Sequence, residues 1–142
     1  MITNIIYDGD FNPGQLNSWS FSDSAAGVQN ESETVENYFA HINATESAWQ
    51  QIGMSTGQQG LLTFKCRGQN SGTVSVMMLN TNTTYWQQTF NSGMSSDWTT
   101  ESFSFTIDPS WTGPLMLHFQ AAYNTDMTDA VDIDDVRLLV NE

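Results

Sequence analysis

The sequence predicts an all-β fold, a two-sheet antiparallel β-sandwich of the jelly-roll kind. Three observations predict it. Apolar and polar residues alternate over short stretches, Thr, Ser, Val, Ile, Phe, Tyr and Trp are dense while helix formers are few, and no apolar pattern of period 3.6 is sustained. At 142 residues the chain fits one domain over 1–142. A domain of that size buries roughly 68–70% of its unfolded surface, enough for a core without disulfides or structural zinc.

Taken in order, residues 2–7, 18–22, 36–44 and 47–52 read as strands from their β-branched and aromatic content. In 62–67, Leu62, Phe64 and Cys66 take one face and Thr63, Lys65 and Arg67 the other. Residues 68–72, Gly-Gln-Asn-Ser-Gly, read as a hairpin turn leading into a strand at 73–79. After a strand at 84–90, the run 101–107 sets Phe103, Phe105 and Ile107 against Ser102, Ser104 and Thr106. Residues 114–122 set Leu115, Leu117, Phe119 and Ala121 against Met116, His118, Gln120 and Ala122, and 131–140 closes the chain. Loops are expected at 91–97 and 124–129, where Asn, Ser, Gly, Thr and Asp cluster. The total is about ten strands, as a sandwich or jelly roll requires.

Composition excludes several partners. Sixteen Asp and Glu face three Lys and Arg, for a net charge of −13. Lys65, Arg67 and Arg137 alone make no basic stripe, so nucleic acid and anionic lipid are excluded as partners. No apolar run approaches the roughly 20 residues of a membrane helix. The lone Cys66 reads as a buried core thiol. The first residues lack the basic and apolar regions of a signal peptide. Sequons at Asn30, Asn43 and Asn82 reflect mostly a Ser/Thr/Asn-rich composition.

Five motifs occur in order along the chain: Asn4-Ile-Ile-Tyr-Asp-Gly-Asp-Phe11 with Trp19 after it, Ala48-Trp49 with Gln51, Trp98 before Phe103 and Phe105, Phe119-Gln120, and Ile133-Asp-Asp-Val136 with Leu138. Together they resemble the galactose-binding-like jelly rolls, and among these the carbohydrate-binding modules of the family 4, 9, 16 and 22 type. The resemblance implies a monomeric, non-catalytic module that binds a polysaccharide or oligosaccharide in a cleft. It also implies a secreted, extracellular protein in which the module is tethered to a glycoside hydrolase, and a structural calcium where the two chain ends meet. On the family pattern Asp134 supplies the carboxylate for that calcium, and Asp10 and a residue near Asn37 supply carbonyls. The other reading of Asp134 and Asp135 is that they cap backbone amides of the first strand without a metal.

A sugar presents apolar C–H faces and a ring of hydroxyls, so its site needs exposed aromatics for the faces and Gln, Asn, His or Arg for the hydroxyls. Met116, His118 and Gln120 share the face opposite the core residues of their strand, and Gln120 matches a ligand contact of the family. Trp49 and Gln51 share a face, and Trp49 matches a stacking aromatic; the alternative is that Trp49 is core. Of Tyr85-Trp86-Gln87-Gln88, one parity supplies an aromatic and an amide, assigned to Tyr85 with Gln87. Lys65 and Arg67 either neutralise a solvated strand or donate to hydroxyls in the cleft, Arg67 being the candidate. Met77 matches a binding-face position of the family without offering a hydrogen bond.

No Ser-His-Asp or metal-ligand spacing surrounds His41 or His118. Adjacent strand residues such as Asp134 and Asp135 normally point to opposite faces and do not flank one glycosidic bond without a bulge. A small jelly-roll lyase or hydrolase is therefore disfavoured. The alternative to sugar binding is a structural or adhesion sandwich of a cell-surface or phage assembly, with short aliphatics on the same face. The net charge favours a neutral β-linked polysaccharide, a β-glucan, xylan or mannan, over an anionic one.

Overall fold

The structure, a computed structural model, describes residues 1–11, 18–22, 27–32 and 37–141. Eleven strands appear among them: β1 (Ile2–Asn4), β2 (Ser20–Phe21), β3 (Gly27–Asn30), β4 (Tyr38–Asn43), β5 (Ser47–Ile52), β6 (Gln59–Gly68), β7 (Gly72–Met78), β8 (Thr84–Phe90), β9 (Thr99–Thr106), β10 (Leu115–Ala121) and β11 (Ala130–Asn141). A six-stranded sheet runs β3-β4-β11-β6-β9, with β1 also on β11, and a five-stranded sheet runs β2-β5-β10-β7-β8. Every pairing is antiparallel. There is no α-helix among the described residues, as the missing 3.6 period predicts. The Glu36 start expected for the third strand, observed as β4, lies outside the described residues. The first strand stops at Asn4 rather than residue 7, and β3 is an additional strand.

The alternating residues fill the space between the sheets. Leu62, Phe64 and Cys66 of β6 and Leu117, Phe119 and Ala121 of β10 are buried. Phe64 meets Phe90 and Phe119 edge-on, each at 5.1 Å, and Phe90 meets Phe119 at 5.9 Å. Cys66 is the buried thiol the sequence suggests. A polar residue on β5 interrupts the apolar interior. Gln50, 4% exposed, faces inward from β5, where its Nε2 donates to the carbonyl of Tyr7 and its Oε1 accepts from the Tyr7 amide. Both ends of the amide are satisfied, so its burial carries little penalty, and it holds the N-terminal segment against the five-stranded sheet.

The two terminal motifs meet here. Asn4 Oδ1 accepts from the amides of Ile6 and Leu138. The Val136 amide donates to the Gly9 carbonyl, and a Cβ on Gly9 would lie 2.0 Å from the carbonyl oxygen of Val136, so only glycine fits. Phe11 is fully buried and lies 5.0 Å from Trp19, whose indole donates to the Asp8 carbonyl. On β11 a bulge between Asp134 and Arg137, with Asp135 at φ 49°, shifts the core parity from Val131 and Ile133 to Val136, Leu138 and Val140.

Gly9→Ala forces the Val136 backbone aside and is expected to destabilise the domain by roughly 1–3 kcal/mol. Gly53→Ala, where an added Cβ meets nothing within 4 Å, should stay within about 0.5 kcal/mol of the parent. Chemical denaturation of the two variants checks the contrast, and equal midpoints would contradict it.

Candidate functional site

The outward face of the five-stranded sheet carries the candidate site. Strand register builds it in rows that cross the strands. Ser20, Trp49, His118, Ser75 and Gln87 are successive cross-strand partners on β2, β5, β10, β7 and β8. Beside them lie Ser47, Gln120, Thr73 and Thr89 on one side and Gln51, Met116, Met77 and Thr84 on the other. Five strands at about 4.8 Å spacing make the central row roughly 19 Å long.

At its centre the Trp49 and His118 rings stack at 5.9 Å with an interplanar angle of 28°. Trp49 is half-buried, so one part of the indole stays accessible. A hollow of about 180 Å³ opens over the pair, lined by Ser22, Ser47, Asn80 and Met116 as well as the two rings. That is smaller than the ~300–1,000 Å³ of a closed small-molecule pocket and suits an extended ligand lying across a sheet. Burial holds the His118 imidazole below its usual 6.5, so at neutral pH it is uncharged and offers one donor and one acceptor. Gln120 is exposed and its Nε2 donates to the Thr45 carbonyl at 3.3 Å. Ser22 Oγ donates to Glu46 and accepts from the Ser47 amide, pinning the rim of the hollow.

Five of the expected ligand residues, Trp49, Gln51, Gln87, His118 and Gln120, share this face. Two do not. Tyr85 is the extra residue of a bulge where Val76 pairs with Trp86 but Met77 pairs with Thr84. The bulge carries its ring to Trp111, stacked at 5.5 Å, and its hydroxyl to the Thr112 carbonyl at 2.9 Å. Arg67 lies on β6 of the other sheet. Its guanidinium donates to Glu31 twice and to Asp132 once, and lies over the Phe39 and Trp98 rings at 4.9 and 4.2 Å. Arg67 is thus engaged with that cluster, and Lys65 pairs with Asp135 at 3.0 Å, both on the sheet opposite Trp49. Parity within a strand is legible from sequence, whereas the sheet to which a strand belongs is not. Ser20, Ser75 and Asn80 carry no signal in the sequence that would single them out.

The candidate metal residues divide in two. Asp134 is 3% exposed, accepts from the Asp135 amide at 2.8 Å and adjoins the Asn37 side chain. Burial, with Asp135 alongside, pushes its carboxyl up to about 6. Asp10 instead lines a hollow with Asp8, Asp135 and Arg137 across the bulge. Among the described residues no group of three or more His, Cys, Asp or Glu is arranged to hold a metal. Calcium takes hard oxygens, and the one carboxylate buried among the described residues is that of Asp134, to which the Asn37 side-chain amide donates. The Ile6 amide, just past β1, donates to Asn4, and the Asp135 amide donates to Asp134.

No family model matches the sequence, and no curated protein is significantly similar to it. Solved structures are similar in fold. A structure of CBM4, a family 4 carbohydrate-binding module, is 21% identical with a TM-score of 0.66, covering 98% of this chain and 95% of that one. A family 16 carbohydrate-binding module is 15% identical with a TM-score of 0.71, covering 95% and 99%. A Stig cyclase from Fischerella sp. TAU, solved with an indole compound, is 13% identical with a TM-score of 0.74, covering 99% and 98%. The chain thus has the jelly-roll fold of the carbohydrate-binding modules, a fold that an enzyme also uses.

Proposed function

We propose that the chain is a non-catalytic carbohydrate-binding module that holds a neutral β-linked polysaccharide, with a β-glucan, xylan or mannan backbone, across the outward face of its five-stranded sheet. The observation that carries this reading is the row Ser20–Trp49–His118–Ser75–Gln87, an aromatic platform flanked by hydroxyls and amides. Trp49 offers an apolar plate to a sugar C–H face, worth roughly 25 cal/mol per Å² covered. Gln51, Gln87 and Gln120 each both donate and accept, as hydroxyls do. The three rows contain no Val, Ile or Leu, the short aliphatics that an adhesion sandwich would place there. Lys65, Arg67 and Arg137 belong to β6 and β11 of the opposite sheet, which leaves this face without a cation for an anionic glycan. The resemblance to family 4 and 16 modules supports a module tethered to a catalytic domain and working outside the cell.

Calcium belongs to the same proposal. Asp134 would supply the carboxylate, and Asp10 and a residue near Asn37 would enter through their carbonyls. Bound there, calcium would neutralise a carboxylate that burial otherwise disfavours.

A shallow, wet site that must offset lost motional freedom should bind with a dissociation constant of about 1 μM to 1 mM. Trp49→Ala and Gln120→Ala should each reduce retention in a gel containing neutral polysaccharide while leaving the melting temperature within a few degrees. If no neutral glycan is retained and Trp49→Ala unfolds the domain, Trp49 is structural and the adhesion reading replaces this one.

Added calcium should raise the melting temperature and a chelator should reverse the gain, by roughly 2.7 kcal/mol at a hundredfold excess over its dissociation constant. An unchanged melting temperature counts against the metal.

His118 sets a pH dependence. The unfolded chain takes up a proton at the ordinary 6.5, whereas the folded domain resists it. Stability from this residue is therefore full above 6.5 and falls as pH drops from there to the lower folded value. Melting temperatures across this range should fall less steeply in His118→Asn; identical slopes would assign the effect elsewhere.

A further inference from the structure

We infer that the polysaccharide held by this face carries acetyl groups, and that Met116 and Met77 form the seat for the acetyl methyl. The inference rests on the carbohydrate-binding reading above and narrows its ligand. Its starting point is an asymmetry between the rows on either side of Trp49 and His118. On one side every position is a hydroxyl or an amide: Ser47, Gln120, Thr73 and Thr89. On the other, two thioethers lie directly opposite each other across β10 and β7, bracketed by Gln51 on β5 and Thr84 on β8.

Met116 is 5% exposed and forms part of the hollow together with Trp49, His118 and Asn80, and Met77 is half-buried. A thioether is at most a weak acceptor and donates nothing. A sugar hydroxyl pressed onto this pair would lose its water without gaining a partner. A methyl would instead remove apolar surface from water on both sides of the contact, and an unbranched, polarisable methionine adapts readily to such a group.

Distance and polarity select acetyl among methyl-bearing groups. The methionine row lies two residues along the strand from the Trp49 row, roughly 6.8 Å away. A hydroxyl at the edge of a ring stacked on Trp49 falls short of that row, whereas an acetyl substituent reaches towards it. An acetyl carbonyl needs a donor beside the apolar seat. The exposed amides of Gln51, next to Met116 in register, and of Asn80, at the lip of the hollow, are placed to supply one. Acetyl esters on a xylan or mannan and the acetamido group of a β-1,4-linked amino sugar present the same methyl and carbonyl, so the seat fits either source.

Affinity electrophoresis of the whole chain in O-acetylated xylan, and in the same polymer after mild alkaline deacetylation, tests the seat. Calorimetry with chitohexaose and cellohexaose, which differ at the C2 substituent, tests the acetamido source. The acetylated partner should bind tighter by about fourfold for each methyl seated. A preference confined to xylan assigns the ester, and one confined to chitohexaose assigns the acetamido group. Met77→Thr, with its folding confirmed by an unchanged far-ultraviolet spectrum, should bring the ratio between acetylated and bare forms towards one. Equal or tighter binding of both bare glycans overturns the acetyl seat while leaving carbohydrate binding in place. A preference that Met77→Thr does not reduce removes the methionines from the seat. If the wild-type chain retains none of the four glycans, the binding reading itself fails and the seat falls with it.

Discussion

Phe64, Phe90 and Phe119 meet edge-on between the sheets, Phe64 from the six-stranded layer and the other two from the five-stranded layer. Each such pair is worth about 0.5–1.5 kcal/mol beyond the area it buries. Their larger effect is on register. Because side chains alternate with period two, fixing Phe119 inward fixes His118 and Gln120 outward, and a slip of one residue would exchange core for surface along the whole strand. The cross-strand pairs then carry that parity to Trp49 and Ser75. The platform on the outer face is thus set by a contact it never touches.

That dependence explains what the sequence discloses. Strands such as β6, β9 and β10 are readable because their inward residues are large and their outward residues polar, and the same alternation places Trp49, His118 and Gln120 on an outer face. The strand β3, Gly-Val-Gln-Asn, has a single apolar residue and no alternation to read; it is held by its backbone ladder to β4. Arg67 shows a second limit. Its parity is as expected, but whether its strand joins Trp49's sheet depends on pairings across the whole chain. Tyr85 shows a third, since one extra residue in a ladder moves a ring off a face while the sequence on either side still alternates. Gln50 is the reverse case, a polar residue at an inward position made tolerable by two hydrogen bonds to a backbone 43 residues away.

The terminal motifs that make the chain resemble a family have a local physical reason. Gly9 is needed where the Val136 carbonyl leaves no room for a Cβ, and the bulge at Asp135 returns Val136 to the core in the right phase. These are constraints on joining the first and last segments of the sandwich. They concern the joining of the chain ends and not the outer face, so motifs of this kind do not by themselves specify a ligand.

The bulge at Tyr85 also acts on assembly. β8 is the outer strand of its sheet, and a flat outer strand presents unpaired amides and carbonyls as a template for another chain. The extra residue interrupts that regular spacing, and Gln87, Gln88 and Thr89 cover the strand with exposed polar side chains. A protein that gathers on a polymer is concentrated side by side along it, at local densities far above those in free solution. On the proposed polysaccharide, an interrupted outer strand would let neighbouring copies sit close without knitting their sheets together.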